Sequence, residues 1–240
     1  MIGIYAPFGK MGKALLAYLD EKQMPFTQYD RVNLQTFLDD ASVIIDFSTH
    51  QATEDLLKIL LISSNPLKKL VIGTTGLDEE TFLLIEEYSK IAPVFYAQNF
   101  SQGITVLKKL IQIAAKALDY DIEIFEAHHA LKKDAPSGTA LYLGGGVASS
   151  RGQNLNDVKT CYQSSSESQV RKKGQIGFSV ARGGHAIGEH SVFFFGDNEE
   201  IKLTHRGYSR TLYAEGAVLA ANWLINQKPG LYSMDDLYSE

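Results

Sequence analysis

Five short runs rich in apolar and β-branched residues punctuate the first hundred positions, at 2–5, 26–29, 43–47, 70–72 and 94–96. Between them lie four stretches with helical spacing of apolar side chains, at 11–19, 33–39, 53–62 and 79–89. Brief β-branched runs read as strands, and apolar residues recurring every three or four positions read as amphipathic helices. Strict strand–helix alternation predicts a parallel sheet covered by helices on both faces, with right-handed crossovers.

The pattern changes near Ser101. A long amphipathic helix is predicted over 104–118, an alternating strand over 121–126 and a second helix over 137–148. Residues 150–176 are polar and Ser/Gln/Lys-rich, and are expected to form a mobile loop. Strands follow at 191–195 and 201–204, so the middle of the chain reads as an α+β domain. A last helix over 212–225 carries Ala214, Ala217, Ala220 and Ala221, a small-residue face suited to packing back on the first domain. No internal repeat or low-complexity tract is visible.

The 240 residues are 45% hydrophobic and 21% charged with a formal net charge of −5, ordinary globular values without the basic face of a nucleic-acid binder. A single cysteine, Cys161, allows no internal disulfide and suits a reducing compartment. No basic region precedes an apolar stretch at the N-terminus, and runs such as 56–62 are too short to cross a bilayer. A cytoplasmic protein is expected.

The first strand is followed by Ala6-Pro7-Phe8-Gly9-Lys10-Met11-Gly12 at the opening of a helix. The dinucleotide fingerprint is G-x-G-x-x-G after a strand. Gly9 and Gly12 suit the tight turn and the close helix–strand packing, while Ala6 occupies the first glycine position. Helix N-terminal amides there can hold a pyrophosphate. Asp30 lies 18 positions beyond Gly12 at the end of the second strand, near the spacing of the acid that binds ribose hydroxyls. Arg31 beside it has the charge for a 2′-phosphate, so both NADH and NADPH are expected to be accepted. The loops Phe47-Ser48-Thr49, Gly73-Thr74-Thr75-Gly76 and Gln98-Asn99-Phe100-Ser101 follow strands at the same sheet end. Each alone is ordinary turn chemistry; together they outline a cleft beyond the strands' carboxyl ends.

The densest polar cluster is Glu126-Ala127-His128-His129-Ala130-Leu131-Lys132-Lys133-Asp134-Ala135-Pro136-Ser137-Gly138-Thr139-Ala140, between a strand and a helix. Two His and two Lys concentrate positive charge in an acidic chain, and Ser137 or Thr139 can cap the helix. Free amides at Gly138 plus lysine side chains make a site for a carboxylate or phosphate. Lys132 and His128 can each act as an acid near neutral pH, which a reaction that leaves a carbanionic or enamine-like centre requires. A basic loop with a capped helix would explain any two of these residues, but not the whole run. Adjacent His128 and His129 on a strand point to opposite faces, and no third ligand has zinc-site spacing, so no metal is expected. A second polar cluster, Arg182-Gly183-Gly184-His185 to His190, and Arg210 suggest either cleft lining or a subunit contact. A structural role is expected for His190 and His205.

At these residues the chain resembles the 4-hydroxy-tetrahydrodipicolinate (dihydrodipicolinate) reductase family. The resemblance spans nearly the whole length: Gly9-Lys10-Met11-Gly12, Asp46-Phe47-Ser48, Gly73-Thr74-Thr75-Gly76, Asn99-Phe100-Ser101, Gly188-Glu189-His190, Thr204-His205, Ser209-Arg210 and Gly230-Leu231-Tyr232-Ser233-Met234. Its most specific signature, His-His-x-x-Lys-x-Asp-Ala-Pro-Ser-Gly-Thr, is complete from His128 to Thr139. The resemblance implies an α/β protein: a Rossmann-like dinucleotide-binding domain over 1–100, a central α+β domain over 101–209 for substrate binding and tetramerisation, and a segment over 210–240 returning to the first domain. It implies domain closure over substrate, and NADPH or NADH reducing a small dicarboxylate to tetrahydrodipicolinate, a precursor of diaminopimelate and lysine. By the same resemblance His128 and Lys132 are the catalytic pair, with Lys132 the proton donor and His128 its partner or the substrate orienter. His129, Ser137, Gly138 and Thr139 would hold substrate carboxylates. Gly9, Met11, Asp30, Arg31, Gly73, Thr75, Asn99 and Phe100 would contact the nucleotide, beside Lys10, Gly12, Phe47, Thr74 and Gln98 of the same loops. Against the family's usual pattern the chain carries Ala6, Ala130 and Leu131 and is short between its second and third strands.

Two other functions fit a Rossmann-type domain: an NAD(P) oxidoreductase with another substrate, and a non-catalytic NAD(P) sensor. The first predicts no dicarboxylate site, the second a degraded His128-to-Thr139 run.

Overall fold

The computed structural model describes residues 1–63, 67–161 and 170–238. The chain forms two compact units, residues 1–102 with 210–240, and residues 103–209.

In the first unit, β1 (Ile2–Ile4), β2 (Phe26–Gln28), β3 (Val43–Asp46), β4 (Lys69–Ile72) and β5 (Pro93–Tyr96) build a parallel sheet with the last strand of the chain, β11 (Gly230–Tyr232). The order is β11-β5-β4-β3-β1-β2. The chain runs outward from β1 to β2 and then returns across β1 to β3, so the direction of winding reverses there. A ligand crevice forms at such a reversal, beyond the strands' carboxyl ends. Strand residues alternate between two cores. Ile2, Ile4, Val43, Ile45, Val71 and Phe95 face Leu15 and Leu19 of α1 (Lys10–Glu21) and the C-terminal helix α8 (Thr211–Leu224). Ile44, Leu70, Ile72 and Val94 face α2 (Leu34–Asp40), α3 (His50–Ile62) and α4 (Glu79–Ser89). Burial on both faces is why these strands read as unbroken apolar runs.

Helix α8 lies close on the sheet because its inner face is small. Ala214, Ala217, Ala220 and Ala221 are fully buried. A Cβ on Gly216 would stand 1.8 Å from the Phe100 carbonyl oxygen, so only glycine fits there. The strand β11, which sequence patterning did not predict, is three residues long and half-buried, with no periodicity of its own to mark it.

In the second unit, α5 (Gln102–Ala117) and α6 (Gly138–Ser150) pack on one face of a five-stranded sheet. Its strands are β6 (Asp121–His128), β7 (Lys159–Thr160), β8 (Ile176–Arg182), β9 (Gly188–Phe195) and β10 (Glu200–Gly207), in the order β10-β9-β6-β8-β7. Ile122, Ile124, Phe178, Val192 and Phe194 of the sheet meet Ile104, Leu107 and Ile111 of α5 and Leu143 and Val147 of α6. At roughly 1.5–3 kcal/mol for each fully buried large apolar side chain, this core holds the sheet under the polar residues that extend β6.

Three expectations for this unit require correction. The polar stretch 150–176 is not a continuous loop: it contributes a short helix, α7 (Leu155–Val158), the strand β7 and the first residue of β8, while 162–169 lie outside the described residues. The strand β8 was not predicted, because Gly177 and Ser179 dilute its alternation. The strand predicted over 191–195 begins earlier, at Gly188, so His190 sits within β9, between β6 and β10.

Candidate active site

In the first unit, the loops after β1, β3, β4 and β5 leave the same end of the sheet. Their first residues continue the ladder: Tyr5 N–H donates to the Ile45 carbonyl at 3.1 Å, Gly73 N–H to Asp46 at 2.8 Å and Ala97 N–H to Ile72 at 3.1 Å. Helices α2, α3 and α4 begin with a capping side chain, from Asn33, Thr49 and Asp78. Helix α1 begins at Gly9 with no side-chain cap, which leaves its first amides for an outside acceptor. Gly12 fixes the approach: a Cβ there would lie 2.0 Å from the Ala6 carbonyl oxygen and under 3 Å from Pro7 backbone. The tight turn and uncapped amides fit a pyrophosphate, which helix N-termini hold through N–H groups and the helix dipole. Lys10 is exposed and Met11 half-exposed at this turn.

The end of β2 is shaped locally. Asp30 Oδ1 accepts from Val32 N–H at 2.8 Å, which holds the turn. Arg31 adopts φ 70°, a left-handed conformation that costs about 1–2 kcal/mol for a residue with a Cβ. Its guanidinium lies 5.5 Å from the centre of the exposed Phe8 ring, which joins the β2 turn to the β1 loop. Phe8 was not singled out in the sequence.

Behind the loops lies a polar knot. Asp46 is fully buried and accepts from Ser48 N–H at 2.8 Å and from the Thr53 hydroxyl at 2.6 Å. The Thr74 hydroxyl is 2.9 Å from that of Thr53. Burial pushes the Asp46 carboxyl above its ordinary range, against these donors. Thr74 is therefore committed to the knot, whereas Thr75 and Gln98 are exposed. Phe47 covers Gly73 closely, with 2.2 Å between a Cβ built there and the ring, and tilts on Phe100 at 5.2 Å. The Phe100 ring is core, 1% exposed, which leaves its main chain as the part able to reach a ligand. Asn99 Oδ1 accepts from Ser101 N–H at 2.8 Å.

In the second unit, alternation along β6 turns Ile122, Ile124, Glu126 and His128 toward the helices. The first two enter the core; the last two form a buried polar cluster. Glu126, fully buried, accepts from four donors: Arg182 Nη1 and Nη2 at 2.7 Å each, Ser137 N–H at 3.0 Å and His128 Nδ1 at 2.5 Å. Burial alone would raise the Glu126 pKa, but these donors outweigh it and hold the carboxyl below its usual value. Burial lowers the His128 pKa, a direction the neighbouring Glu126 opposes and Lys132 and Arg182 reinforce. Arg182 is registered opposite His128 on β8, and also donates to the Asp134 carbonyl at 2.7 Å.

His190 pairs with Glu126 across β6 and β9 and meets the His128 ring edge-on at 5.1 Å. Burial pushes its pKa down to about 3, so it is neutral at physiological pH. Its Nε2 is 3.1 Å from the Ser137 hydroxyl, which also accepts from Ala140 N–H as the cap of α6. Ser137 is buried, with its N–H on Glu126 and its oxygen on the helix start, so it organises the turn more than it faces a ligand. Gly138 is exposed and has nothing within 4 Å of a built Cβ, and Thr139 is half-exposed at the same helix start. His129 is half-exposed just beyond β6. Lys132 Nζ is 2.9 Å from Asp134 Oδ1, and that ammonium lowers the Asp134 pKa. Thus His128, Lys132, Gly138 and Thr139 share one loop-and-helix start. Glu126, Arg182 and His190 support it. The sequence placed Glu126 in the polar cluster, Arg182 as cleft lining or a subunit contact and His190 in a structural role, but not their pairing, which depends on strand register. His185 is exposed between β8 and β9, and Arg210 precedes α8 in the first unit. Among the described residues no group of three or more His, Cys, Asp or Glu is arranged to hold a metal ion, and no helix is long and apolar enough to cross a membrane.

Both units match profiles of one family. The profile described as dihydrodipicolinate reductase, N-terminus, matches residues 1–100, and that described as dihydrodipicolinate reductase, C-terminus, matches residues 103–238. The chain belongs to the dihydrodipicolinate reductase family. A relative from Campylobacter lari named 4-hydroxy-tetrahydrodipicolinate reductase is 44% identical over 98% of this chain and 97% of its own length. One from Caldanaerobacter subterraneus with the same name is 41% identical over 95% and 94%. Among solved structures, a dipicolinate-bound dihydrodipicolinate reductase from Paenisporosarcina superposes with a TM-score of 0.75 at 24% identity, covering 98% of each chain, which shows the shared fold. The C-terminus profile takes in the second unit and also α8 and β11, which belong to the first unit.

Proposed function

We propose that the chain reduces 4-hydroxy-tetrahydrodipicolinate to tetrahydrodipicolinate in diaminopimelate and lysine biosynthesis. The reaction takes in one hydride and one proton and releases one water. The observation that carries the reading is the complete His128-to-Thr139 segment in a chain of this family, with His128 held by a buried carboxylate and Lys132 on the adjoining loop.

The first unit serves as the nucleotide domain. Gly9, Lys10, Met11 and Gly12 surround the pyrophosphate, and Asp30 and Arg31 meet the adenosine ribose. Phe47, Gly73, Thr74, Thr75, Gln98, Asn99 and Phe100 form the floor and wall for the nicotinamide end. NAD(P)H supplies the hydride when bound. Arg31, placed beside Phe8, gives a 2′-phosphate a cationic partner, and the Asp30 carboxylate suits a ribose hydroxyl, so both cofactors are accepted.

The second unit serves as the substrate domain. Gly138 and Thr139 at the start of α6 offer N–H and hydroxyl donors to one carboxylate, with His129 and the Ser137 hydroxyl as further donors. Lys132 supplies the proton and counters the dianionic charge. The exposed side of the five-stranded sheet carries Phe195 and Val180, and Phe193 stacks on Phe195 at 5.5 Å. That apolar face supports assembly of a homotetramer. A reducing compartment, the cytoplasm, suits a chain with one unpaired thiol.

The test is oxidation of NADPH and of NADH by the purified protein, with substrate generated in place by the preceding synthase from pyruvate and aspartate semialdehyde. Synthase-dependent oxidation that falls at least about 100-fold in Lys132→Ala, with NAD(P)H affinity retained, supports the reading; general acid groups contribute about 10²–10⁴-fold. Binding of NAD(P)H without oxidation would sink it in favour of a sensor or another substrate.

A further inference from the structure

We infer that Glu126, clamped by Arg182, is a positioning residue that sets the tautomer of His128, so that His128 meets the substrate as a hydrogen-bond acceptor and Lys132 is the only proton source. The inference rests on the catalytic roles proposed for His128 and Lys132.

The geometry assigns the hydrogen. Glu126 already accepts two N–H groups from Arg182 and one from Ser137, and it is ionised in that company. An ionised carboxylate only accepts, so the Nδ1 facing it must carry the proton. His128 is neutral above its lowered pKa, and a neutral imidazole with a proton on Nδ1 has a lone pair on Nε2. No hydrogen-bond partner for Nε2 is found among the described residues. Gly188 keeps the ring edge clear, since a Cβ there would stand 3.0 Å from Nε2.

A lone pair at Nε2 can accept from the substrate hydroxyl or from the Lys132 ammonium, but it cannot protonate a reduced ring. Loss of water is proton-neutral overall, since the departing hydroxide takes up the proton given up by the adjacent ring carbon. The one proton the reaction consumes therefore leaves Lys132 Nζ for the enamine carbon. The resulting neutral amine regains a proton from solvent, which its partly exposed side chain can reach. Arg182 matters because it neutralises Glu126 and holds both its oxygens. A single donor would leave the carboxylate free to rotate away from the ring. His190 cannot substitute: it is buried, and its Nε2 is committed to Ser137. Carboxylate partners that fix an imidazole's tautomer act the same way in hydrolytic triads and metal sites.

The first test is ¹⁵N NMR of the histidine rings in the wild-type full chain near pH 7.5, with His128→Gln assigning the resonance. The expected signature is a protonated Nδ1 and an unprotonated Nε2 on His128. A protonated Nε2 overturns the inference. The second test is Glu126→Gln. It should lower kcat at least 10-fold, leave KM for NAD(P)H within about two-fold, and move the acid limb of the kcat/KM profile to lower pH, because the carboxylate that favours the imidazolium is gone. A folded Glu126→Gln enzyme with wild-type kcat and an unmoved limb overturns the inference too. Glu126→Gln removes the charge partner of the half-buried Arg182; where that variant does not fold, the wild-type spectrum decides alone. Wild-type protein that oxidises no NAD(P)H with substrate defeats the functional reading instead, whatever the tautomer.

Discussion

Replacing Gly12 by alanine tests whether the loop after β1 is the nucleotide cradle. The new Cβ would lie 2.0 Å from the Ala6 carbonyl oxygen and 2.7 and 2.8 Å from Pro7 backbone atoms. Real carbon contacts do not come under 3.0 Å, and none of these neighbours is a flexible side chain that can turn away. The loop and the start of α1 must therefore separate by about 1 Å. Overpacking of this kind costs about 1–3 kcal/mol. If the strain is relieved by moving the amides that hold the pyrophosphate, the cost appears as roughly a 5- to 150-fold weaker Kd for NAD(P)H. Gly9 is the contrast within the same turn: its nearest neighbour to a built Cβ is at 3.9 Å, and its φ is −71°. Gly9→Ala should fold with unchanged stability. The assay is calorimetric or fluorescence titration of NADPH and NADH into each variant, with thermal unfolding as a fold check. A folded Gly12→Ala protein that binds both cofactors as wild type does would refute the placement of the pyrophosphate at this turn.

Further outcomes follow from the second unit. His190, with a folded pKa of about 3 against about 6.5 unfolded, binds fewer protons folded than unfolded in that interval, so stability is full above pH 6.5 and is lost as pH falls. Between pH 7 and 5.5 this one residue should remove about 1 kcal/mol, with His128 and His205 shifting the same way. Urea unfolding at the two pH values checks this, and a flat result contradicts it. Arg151 donates to the carbonyls of Ala115, Leu118 and Tyr120 at the end of α5. Arg151→Ala should destabilise the protein by about 1–3 kcal/mol, seen as faster amide exchange near residue 118. Light scattering should report a tetramer, and Phe193→Glu, which places a charge on the stacked pair of the exposed sheet face, should shift it to smaller species.

How much was legible in the sequence follows from how local each signal is. The strand–helix alternation of the first hundred residues and the glycine turn before α1 are local, and the structure carries them at nearly the expected positions. The loop from Glu126 to Ala140 was visible as a cluster, but its organisation was not. Glu126 takes its partners from Arg182, 56 positions away, and Ser137 takes His190 from 53 positions away. Those pairings exist only once β6 lies between β8 and β9. Phe100 and Thr74 show the opposite difficulty: loop residues at a sheet's carboxyl end look ligand-facing, yet one side chain fills the core and the other ties a buried carboxylate. The strand β11 is recognised only through its partner β5.

The central claim is hydride transfer to the product ring, and isotope transfer measures it directly. The enzyme is supplied with 4-deuterated NADPH and substrate formed in place, and tetrahydrodipicolinate is analysed by mass spectrometry. The account predicts one deuterium per product molecule for the stereoisomer of cofactor the enzyme uses, and negligible product from Lys132→Ala. Product without deuterium from either stereoisomer, or no product from a protein that binds the cofactor, would contradict it.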